Sequence, residues 1–359
     1  MRTLDRLRKE ICEIDNKLIE LIRKRLDIAI AIGEVKKSKG LPLKNWEIEK
    51  SVIRRTRLKA KELGISENFI MNLMQEIIRE SCNIQEFSHF TKFKEEKETI
   101  FIIGAAGKMG KWFSEFFQIK GHNVLKYDVK ANPEDISYVD FETGLSNSSI
   151  TLIATPIKAI PSIINKIINY EYKGIVFDIA STKSYLIDSY EKALNHGISM
   201  TTIHPLFGPS AKILSDKIIC FCNLGDKNAF EKIKALFEDT AISFFETSVE
   251  EHDNIISYVI NLSHLINIIY IDVLRESGFN YKRLKSMGST TFFSQIKITR
   301  RVISETPNIS FDLQVLNKYK NKMLRELKRA SEKVIKIIED NDFNEFKKIL
   351  EEGKKWMEE

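Results

Sequence analysis

Apolar residues recur in steps of three and four, with one step of seven, at Leu4, Leu7, Ile11, Ile14, Leu18, Leu21, Ile28, Ile32 and Val35, with no proline and one glycine, Gly33, before Lys39. That period predicts a single long helix, about 50 Å at about 1.5 Å per residue. Gly40-Leu-Pro42 breaks it. A second helix is predicted over 46–63, ended by Gly64, and a third over 66–84 with Ser66 as its cap. A module of this size cannot fold so long a seam onto itself, so part of the seam is expected to lie against a second chain.

Residues 86–98 are polar and charged and read as a linker. Short apolar runs then alternate with helical stretches, with strands predicted at 99–104, 123–128, 150–155, 174–180, 199–204, 217–223 and 242–246. This alternation predicts a parallel, doubly wound Rossmann sheet. After Val249 the pattern turns helical, with a long apolar helix over 250–277, amphipathic helices to the charged end, and Pro307 marking a loop. The expected organisation is multidomain: an all-α module at 1–90, a Rossmann domain at 98–248 and an all-α domain at 249–359.

The 359 residues are 43% hydrophobic and 30% charged, with a net charge of +6, as in a soluble protein of two or three domains. The positive charge is dispersed, without the basic blocks and interleaved aromatics of a nucleic-acid binder. The charged start lacks a signal-peptide pattern. The longest apolar stretch, Tyr258–Leu274, carries Asn261, His264, Asn267 and Asp272, so a buried helix is expected there, not a membrane span. Four cysteines form no CxxC pair; Cys220 and Cys222 alternate on one strand and read as buried reduced thiols. The scattered histidines suggest no metal site, and the expected compartment is the cytoplasm.

The first predicted strand of the sheet runs into Gly104-Ala-Ala-Gly107-Lys108-Met109-Gly110, which opens a helix. Such a turn lets a backbone approach a pyrophosphate, whose charge rests on the helix N-terminus. Asp128 ends the next strand, where a carboxylate accepts from a ribose diol and repels a 2′-phosphate; NAD is therefore expected over NADP, with Lys126 and Lys130 nearby as the opposing signal. His204, in His204-Pro-Leu-Phe-Gly-Pro209, ends another strand, and Ser181 and Lys183 follow the strand before it. A dinucleotide grip with an imidazole beside it points to hydride transfer coupled to proton loss.

In the helical module Arg8, Arg25, Lys36, Glu49, Ser81 and Gln85 flank the apolar seam. Arg25 and Lys36 are about three helical turns apart and project from nearly one face. Arg8 and Arg25 are roughly 25 Å apart along the helix. They can clamp one small anion only if two helices pair antiparallel and Arg8 comes from the other chain. Ser81 and Gln85 share a face. Spacing alone also fits ordinary solvated charges on a dimerising module.

The run Leu7-Arg8-Lys9-Glu10-Ile11, with Arg23-Lys24-Arg25-Leu26, Gly33-Glu34-Val35-Lys36, Glu49 and Ser81…Gln85, resembles the all-helical chorismate mutase family. The resemblance implies that Arg8 of the partner subunit, Arg25 and Lys36 hold the dicarboxylate. It also implies that Lys36 and Gln85 donate to the ether oxygen, that Glu49 takes the ring hydroxyl, and that Asn45 and Ser81 line the site. Catalysis is then orientation plus electrostatics. That family places an aspartate where Asn45 stands and an arginine where Ile48 stands; Asn45 still offers its backbone, whereas Ile48 removes a peripheral cation.

The glycine turn, Thr155-Pro156, Asp178-Ile-Ala-Ser181-Thr-Lys183, His204–Pro209 and Glu251-His252-Asp253 resemble prephenate dehydrogenase over residues 98–359. Joined to the mutase-like module, they resemble the bifunctional chorismate mutase–prephenate dehydrogenases. The resemblance implies that His204 accepts the ring hydroxyl's hydrogen bond while hydride passes to NAD and carbon dioxide leaves. Ser181 then orients the histidine or the hydroxyl, Lys183 holds a carboxylate or the histidine loop, and His264 faces the substrate. The family's carboxylate-binding arginine falls at Phe293, leaving Arg301 as first candidate, with Arg300 and Lys297 beside it. The expected protein is a cytoplasmic homodimer taking chorismate and prephenate; an arogenate dehydrogenase fused to a mutase, or a non-catalytic sensor of dinucleotide and aromatic ligands, are the alternatives. The presence of both His204 and Ser181 argues against a sensor, which needs no proton acceptor.

Overall fold

The computed structural model describes residues 3–39, 46–90, 97–130, 138–211, 214, 217–238 and 240–358, with the backbone alone for 37, 38, 46, 47, 49 and 85–90. Three helices come first: α1 (Leu4–Ser38), α2 (Trp46–Glu62) and α3 (Glu67–Phe90). Gly64 ends α2 with φ +67°, and Ile65 N–H closes back on Ala60 O at 2.9 Å, a left-handed stop that glycine adopts without strain. Ser66 caps α3 by accepting from Phe69 N–H. α3 runs six residues past its predicted end, because residues 85–90 hold neither proline nor glycine to stop it. α3 packs along both α1 and α2. Within one chain the α1 seam is largely uncovered: Leu18 is 52% exposed, Leu21 62% and Ile28 54%, while Ala29 is buried.

The sheet has the order β2-β1-β3-β4-β5-β6-β7. Its strands are β1 (Thr99–Ile103), β2 (Asn123–Tyr127), β3 (Ile150–Ile153), β4 (Ile175–Asp178), β5 (Ser199–Pro205), β6 (Ile218–Cys222) and β7 (Ser243–Thr247). The first five are parallel; β6 runs antiparallel to β5, and β7 parallel to β6. The parallel sheet expected from the alternation holds over β1 to β5, and β6 departs from it. The segment from β5 to β6 holds no helix among its described residues, and an antiparallel return needs no helical crossover. Strand order reverses between β1 and β3, which opens a crevice at the carboxyl ends of the parallel strands.

Strands buried on both faces explain the near-continuous apolar runs: Ile100 to Ile103, Leu152 and Phe177 are essentially inaccessible. α4 (Lys108–Ile119) adds Phe113, Phe116 and Phe117, all packed around Phe237, with the Phe116 ring stacked at 5.5 Å. Burying each such ring contributes about 1.5–3 kcal/mol. Cys220 and Cys222 are buried and unbonded to each other, as expected.

The chain divides into two compact units, Met1–Ser181 with Ser189–Ser248 and Thr182–Asp188 with Val249–Glu359. The second is helical: α9 (Val249–Ile256), a π-helical turn (Ser257–Leu262), α10 (Ser263–Glu276), α11 (Tyr281–Ser286), α12 (Thr290–Ile303), α13 (Pro307–Leu316), α14 (Lys320–Glu339) and α15 (Phe343–Glu358). Three shorter helices of the sheet region, α5 (Phe141–Ser146), α6 (Ile160–Asn169) and α7 (Ile187–Asn195), precede α8 (Lys227–Ala235). Pro307 opens α13 where a loop is predicted, because proline's missing N–H and fixed φ suit a first helical position. The helix from Val249 to Glu276 is long and apolar enough to cross a membrane by length and composition, and only 22% of its most apolar stretch is buried. The expected burial is therefore not met within one chain. Its polar positions (Asp253, Ser257, Asn261, Asn267) face inward, while Val259, Ile269 and Val273 face out.

Candidate active sites

In the helical module Arg25 donates to the Ser81 hydroxyl, and Ser81 donates in turn to Ile77 O at 2.7 Å. Two sequence-predicted residues are thus brought together across α1 and α3. Burial depresses the Arg25 guanidinium below its ordinary value; the neighbouring Cys82 opposes the shift and Arg55 adds to it. Cys82 and Arg55 carry no motif that would mark them beforehand. Lys36 is half-buried on α1. Arg8 is 71% exposed and lies 3.9 Å from Asp5, well along the helix from Arg25. Glu49 lies on α2 and Gln85 on α3, with side chains outside the described ones; Asn45 lies outside the described residues.

The glycine turn is built at the end of β1. Gly104 has φ +93°, and a Cβ there would stand 2.7 Å from Ala154 O. A Cβ on Gly110 would fall 2.1 Å from Gly104 O, so only glycine lets α4 pack this closely on the strand. Gly107 caps α4, with Lys108 and Met109 in its first turn. Asp128 accepts from Ala106 N–H at 3.0 Å, which puts the carboxylate beside the turn. Thr155 and Pro156 follow β3. The Thr155 hydroxyl is buried with no hydrogen-bond partner among the described residues. An orphaned hydroxyl, a side-chain-free cradle, a helix N-terminus and an acid bonded to the turn fit a dinucleotide.

His204 lies at the carboxyl end of β5 and is 4% exposed. Asp178, at the end of β4, pairs in register with Thr202. Its carboxylate accepts from Ala180 N–H and from Tyr190 O–H, each at 2.9 Å. Burial, then the Asp178 charge, push the Tyr190 phenol well above its ordinary value. His204 stands one pleat beyond Thr202 on the same face, so this network stiffens the strand that carries it. Tyr190 is a lone aromatic on α7, and nothing in the sequence singles it out. Ser181 is half-buried at the turn after β4.

In the helical unit Asp253 accepts from Lys183 N–H at 3.0 Å and from Ser184 N–H at 2.7 Å, and lies 2.7 Å from His252 Nδ1. Burial would raise this carboxyl, but the hydrogen bonds from His252, Ser184 and Lys183 outweigh it and hold the group below its ordinary value. Lys183 is fully buried. His264 Nδ1 lies 3.5 Å from Glu305 Oε2 without completing a hydrogen bond. Lys297, Arg300 and Arg301 line one cleft of about 700 Å³ with Tyr281 and Phe293. All three cations proposed for the carboxylate thus share one place.

Residues 7–86 match chorismate mutase type II, residues 126–245 the nucleotide-binding domain of prephenate dehydrogenase, and residues 248–352 its dimerization domain. The T-protein of Enterobacter agglomerans is 24% identical over 354 residues, spanning 99% of this chain and 93% of that protein. The chorismate mutase of Methanocaldococcus jannaschii is 35% identical over 83 residues, 23% of this chain and 84% of that one. The chain belongs to the fused chorismate mutase–prephenate dehydrogenases. A fused enzyme of this family carries an isomerase and an oxidoreductase of tyrosine biosynthesis in one chain. The fold of its dehydrogenase part is shared with a prephenate dehydrogenase from A. aeolicus solved with hydroxyphenyl propionate and NAD+, at 20% identity and a TM-score of 0.61, covering 74% of this chain and 99% of that one. A Synechocystis arogenate dehydrogenase shares it at 16% identity and a TM-score of 0.58, covering 72% and 99%. The nucleotide-domain match begins at Lys126, beyond the glycine turn, so the turn's role in this fused dehydrogenase rests on its geometry.

Proposed function

We propose that this fused enzyme rearranges chorismate to prephenate in residues 1–90, and oxidatively decarboxylates prephenate to 4-hydroxyphenylpyruvate with NAD in residues 98–359. In the mutase site Arg8 of the partner subunit, Arg25 and Lys36 fix the dicarboxylate. Ser81 holds Arg25 in place, Lys36 and Gln85 stabilise charge growing on the ether oxygen, and Glu49 takes the ring hydroxyl, with Asn45 at the rim. In the dehydrogenase site His204 takes the proton of the ring hydroxyl, so the C–O bond gains double-bond character as hydride leaves the ring carbon. Loss of carbon dioxide then makes the ring aromatic. NAD, held by Gly104, Gly107, Lys108, Met109, Gly110, Asp128, Thr155 and Pro156, supplies the hydride acceptor. Ser181 orients the imidazole, Lys183 holds the histidine loop or a carboxylate, and His264 and Arg301 face the substrate side chain.

The observation that carries this reading is that the glycine turn, the orphaned Thr155 hydroxyl and His204 lie at the carboxyl ends of β1, β3 and β5 of one sheet. The homodimer is supported by the uncovered apolar seams of α1 and of the Val249–Glu276 helix, each a face that water would otherwise meet. In this reading the enzyme is a soluble cytoplasmic homodimer acting on small anions, with neither membrane nor nucleic acid as partner. Supplying prephenate or arogenate with NAD and quantifying products tests the substrate. The reading requires 4-hydroxyphenylpyruvate, carbon dioxide and reduced NAD in equal amounts from prephenate; turnover of arogenate alone overturns it.

A further inference from the structure

The helix from Val249 to Glu276 is interrupted by the π-helical turn at Ser257–Leu262. A π turn winds more residues per turn than an α-helix, so over this segment it rotates everything downstream by roughly 100° relative to a straight helix. Both ends of the helix have fixed registers. Upstream, Asp253 accepts the backbone N–H groups of Lys183 and Ser184. Downstream, Asn267 Oδ1 accepts from Gln295 Nε2 at 2.9 Å and from Thr299 at 2.7 Å, both on α12. The turn absorbs the one residue by which these registers disagree.

The interruption is clamped from the far end of α13. Gln314 Nε2 donates to the Asn261 backbone carbonyl at 3.1 Å, Asn261 Nδ2 donates to Leu313 O at 3.1 Å, and Asn317 Nδ2 donates to Asp253 O at 2.8 Å. Asn261 and Asn317 are fully buried. Side chains inserted into a helical ladder are a known cause of its distortion, and here they satisfy carbonyls that the widened turn leaves open. Directly past the turn comes His264, beside Glu305 at the end of α12.

We propose that the Asn261–Gln314–Asn317 clamp holds the π turn in order to aim His264, and that Asn261 and Gln314 are positioning residues of the dehydrogenase. This rests on His264 being a substrate-side group, as proposed above. Without the clamp the segment relaxes toward an α-helix and His264 rotates away from the α12 end. Deleting Val259, an exposed residue of the turn, removes the surplus residue, so a continuous α-helix then delivers the same two registers.

The test uses full-length enzyme carrying Asn261→Leu, Gln314→Ala, His264→Ala, the Val259 deletion, or Asn261→Leu with the deletion. Prephenate kinetics, NAD affinity and thermal unfolding are measured for each. The expected result is a rise of roughly ten-fold in the prephenate Michaelis constant for Asn261→Leu and Gln314→Ala, the loss of about one hydrogen bond to substrate, with NAD affinity unchanged. The deletion combined with Asn261→Leu restores the parent value, a rescue that a merely stabilising role for Asn261 would not give. Should Asn261→Leu fail to fold, Gln314→Ala with and without the deletion carries the same comparison. Failure of the deletion to rescue, or parent kinetics in both clamp variants, overturns the proposal while leaving His264 in place. Parent kinetics in His264→Ala overturns the reading of His264 itself.

Discussion

Asp128 Oδ2 accepts the Ala106 N–H at 3.0 Å, joining the acid after β2 to the middle of the glycine turn. The other oxygen takes Lys130 N–H at 2.8 Å. Both bonds fix the carboxylate where a ribose diol would donate to its free lone pairs, and where a 2′-phosphate would meet like charge. Asp128→Ser is expected to weaken NAD use by roughly ten- to a hundred-fold, the worth of hydrogen bonds to a charged acceptor, and to improve NADP use relatively. Steady-state kinetics with both cofactors check this. A parent enzyme that prefers NADP would show that Lys126 and Lys130 control the pocket.

His204→Asn keeps a polar group on β5 and removes the proposed proton acceptor. Dehydrogenase turnover should fall by about 10²–10⁴-fold, with mutase turnover at the parent level. Near-normal oxidation of prephenate by this variant rules His204 out as the base.

Arg8 and Arg25 project from points roughly 25 Å apart on one helix, so the proposed mutase site, which uses both, needs two chains. Arg8→Ala and Arg25→Ala homodimers should each be inactive as mutases, and mixed dimers should regain activity at the one site that keeps both arginines. Absence of complementation in verified mixed dimers contradicts the shared site.

Arg301→Ala should raise the prephenate Michaelis constant by roughly ten- to a hundred-fold through loss of a charge-assisted contact, with NAD affinity unchanged. Because Lys297 and Arg300 line the same cleft, their alanine variants are measured beside it. If one of those two shows the effect and Arg301 does not, the clamp lies elsewhere on α12.

The Asp253 carboxyl is held below its ordinary value despite burial. Its contribution to stability is therefore complete above the unfolded carboxylate value of about 3.9 and is lost as pH falls through the lower folded value. Asp253→Asn should lower the melting temperature near neutrality and flatten its dependence on pH in that acid window. Melting curves from pH 7 downward check the slope; parallel curves for both proteins would contradict the assignment.

Much of this architecture is legible in the chain. The seven strands stand where period and turn chemistry place them, since strands buried on both faces leave runs such as Ile100–Ile103 unmistakable. The reversed direction of β6 is not legible, because strand direction depends on what connects β5 to β6 and leaves no periodic trace. α3 outruns its predicted end because polarity at residues 85–90 resembles a linker while nothing there breaks a helix. Arg25 and Ser81, which the resemblance to chorismate mutases puts in one site, meet across α1 and α3. The Tyr190–Asp178 bond and the π turn at Ser257–Leu262 escape sequence reading for a common reason: each is set by side-chain partners on another element.

Conversion of chorismate by the purified full-length protein, with and without NAD, tests the account most directly. Without NAD, prephenate should accumulate and stop there. With NAD, 4-hydroxyphenylpyruvate should appear in step with reduced NAD. Unchanged chorismate in both reactions, or prephenate that persists in the presence of NAD, would contradict the central claim that one chain carries both consecutive activities.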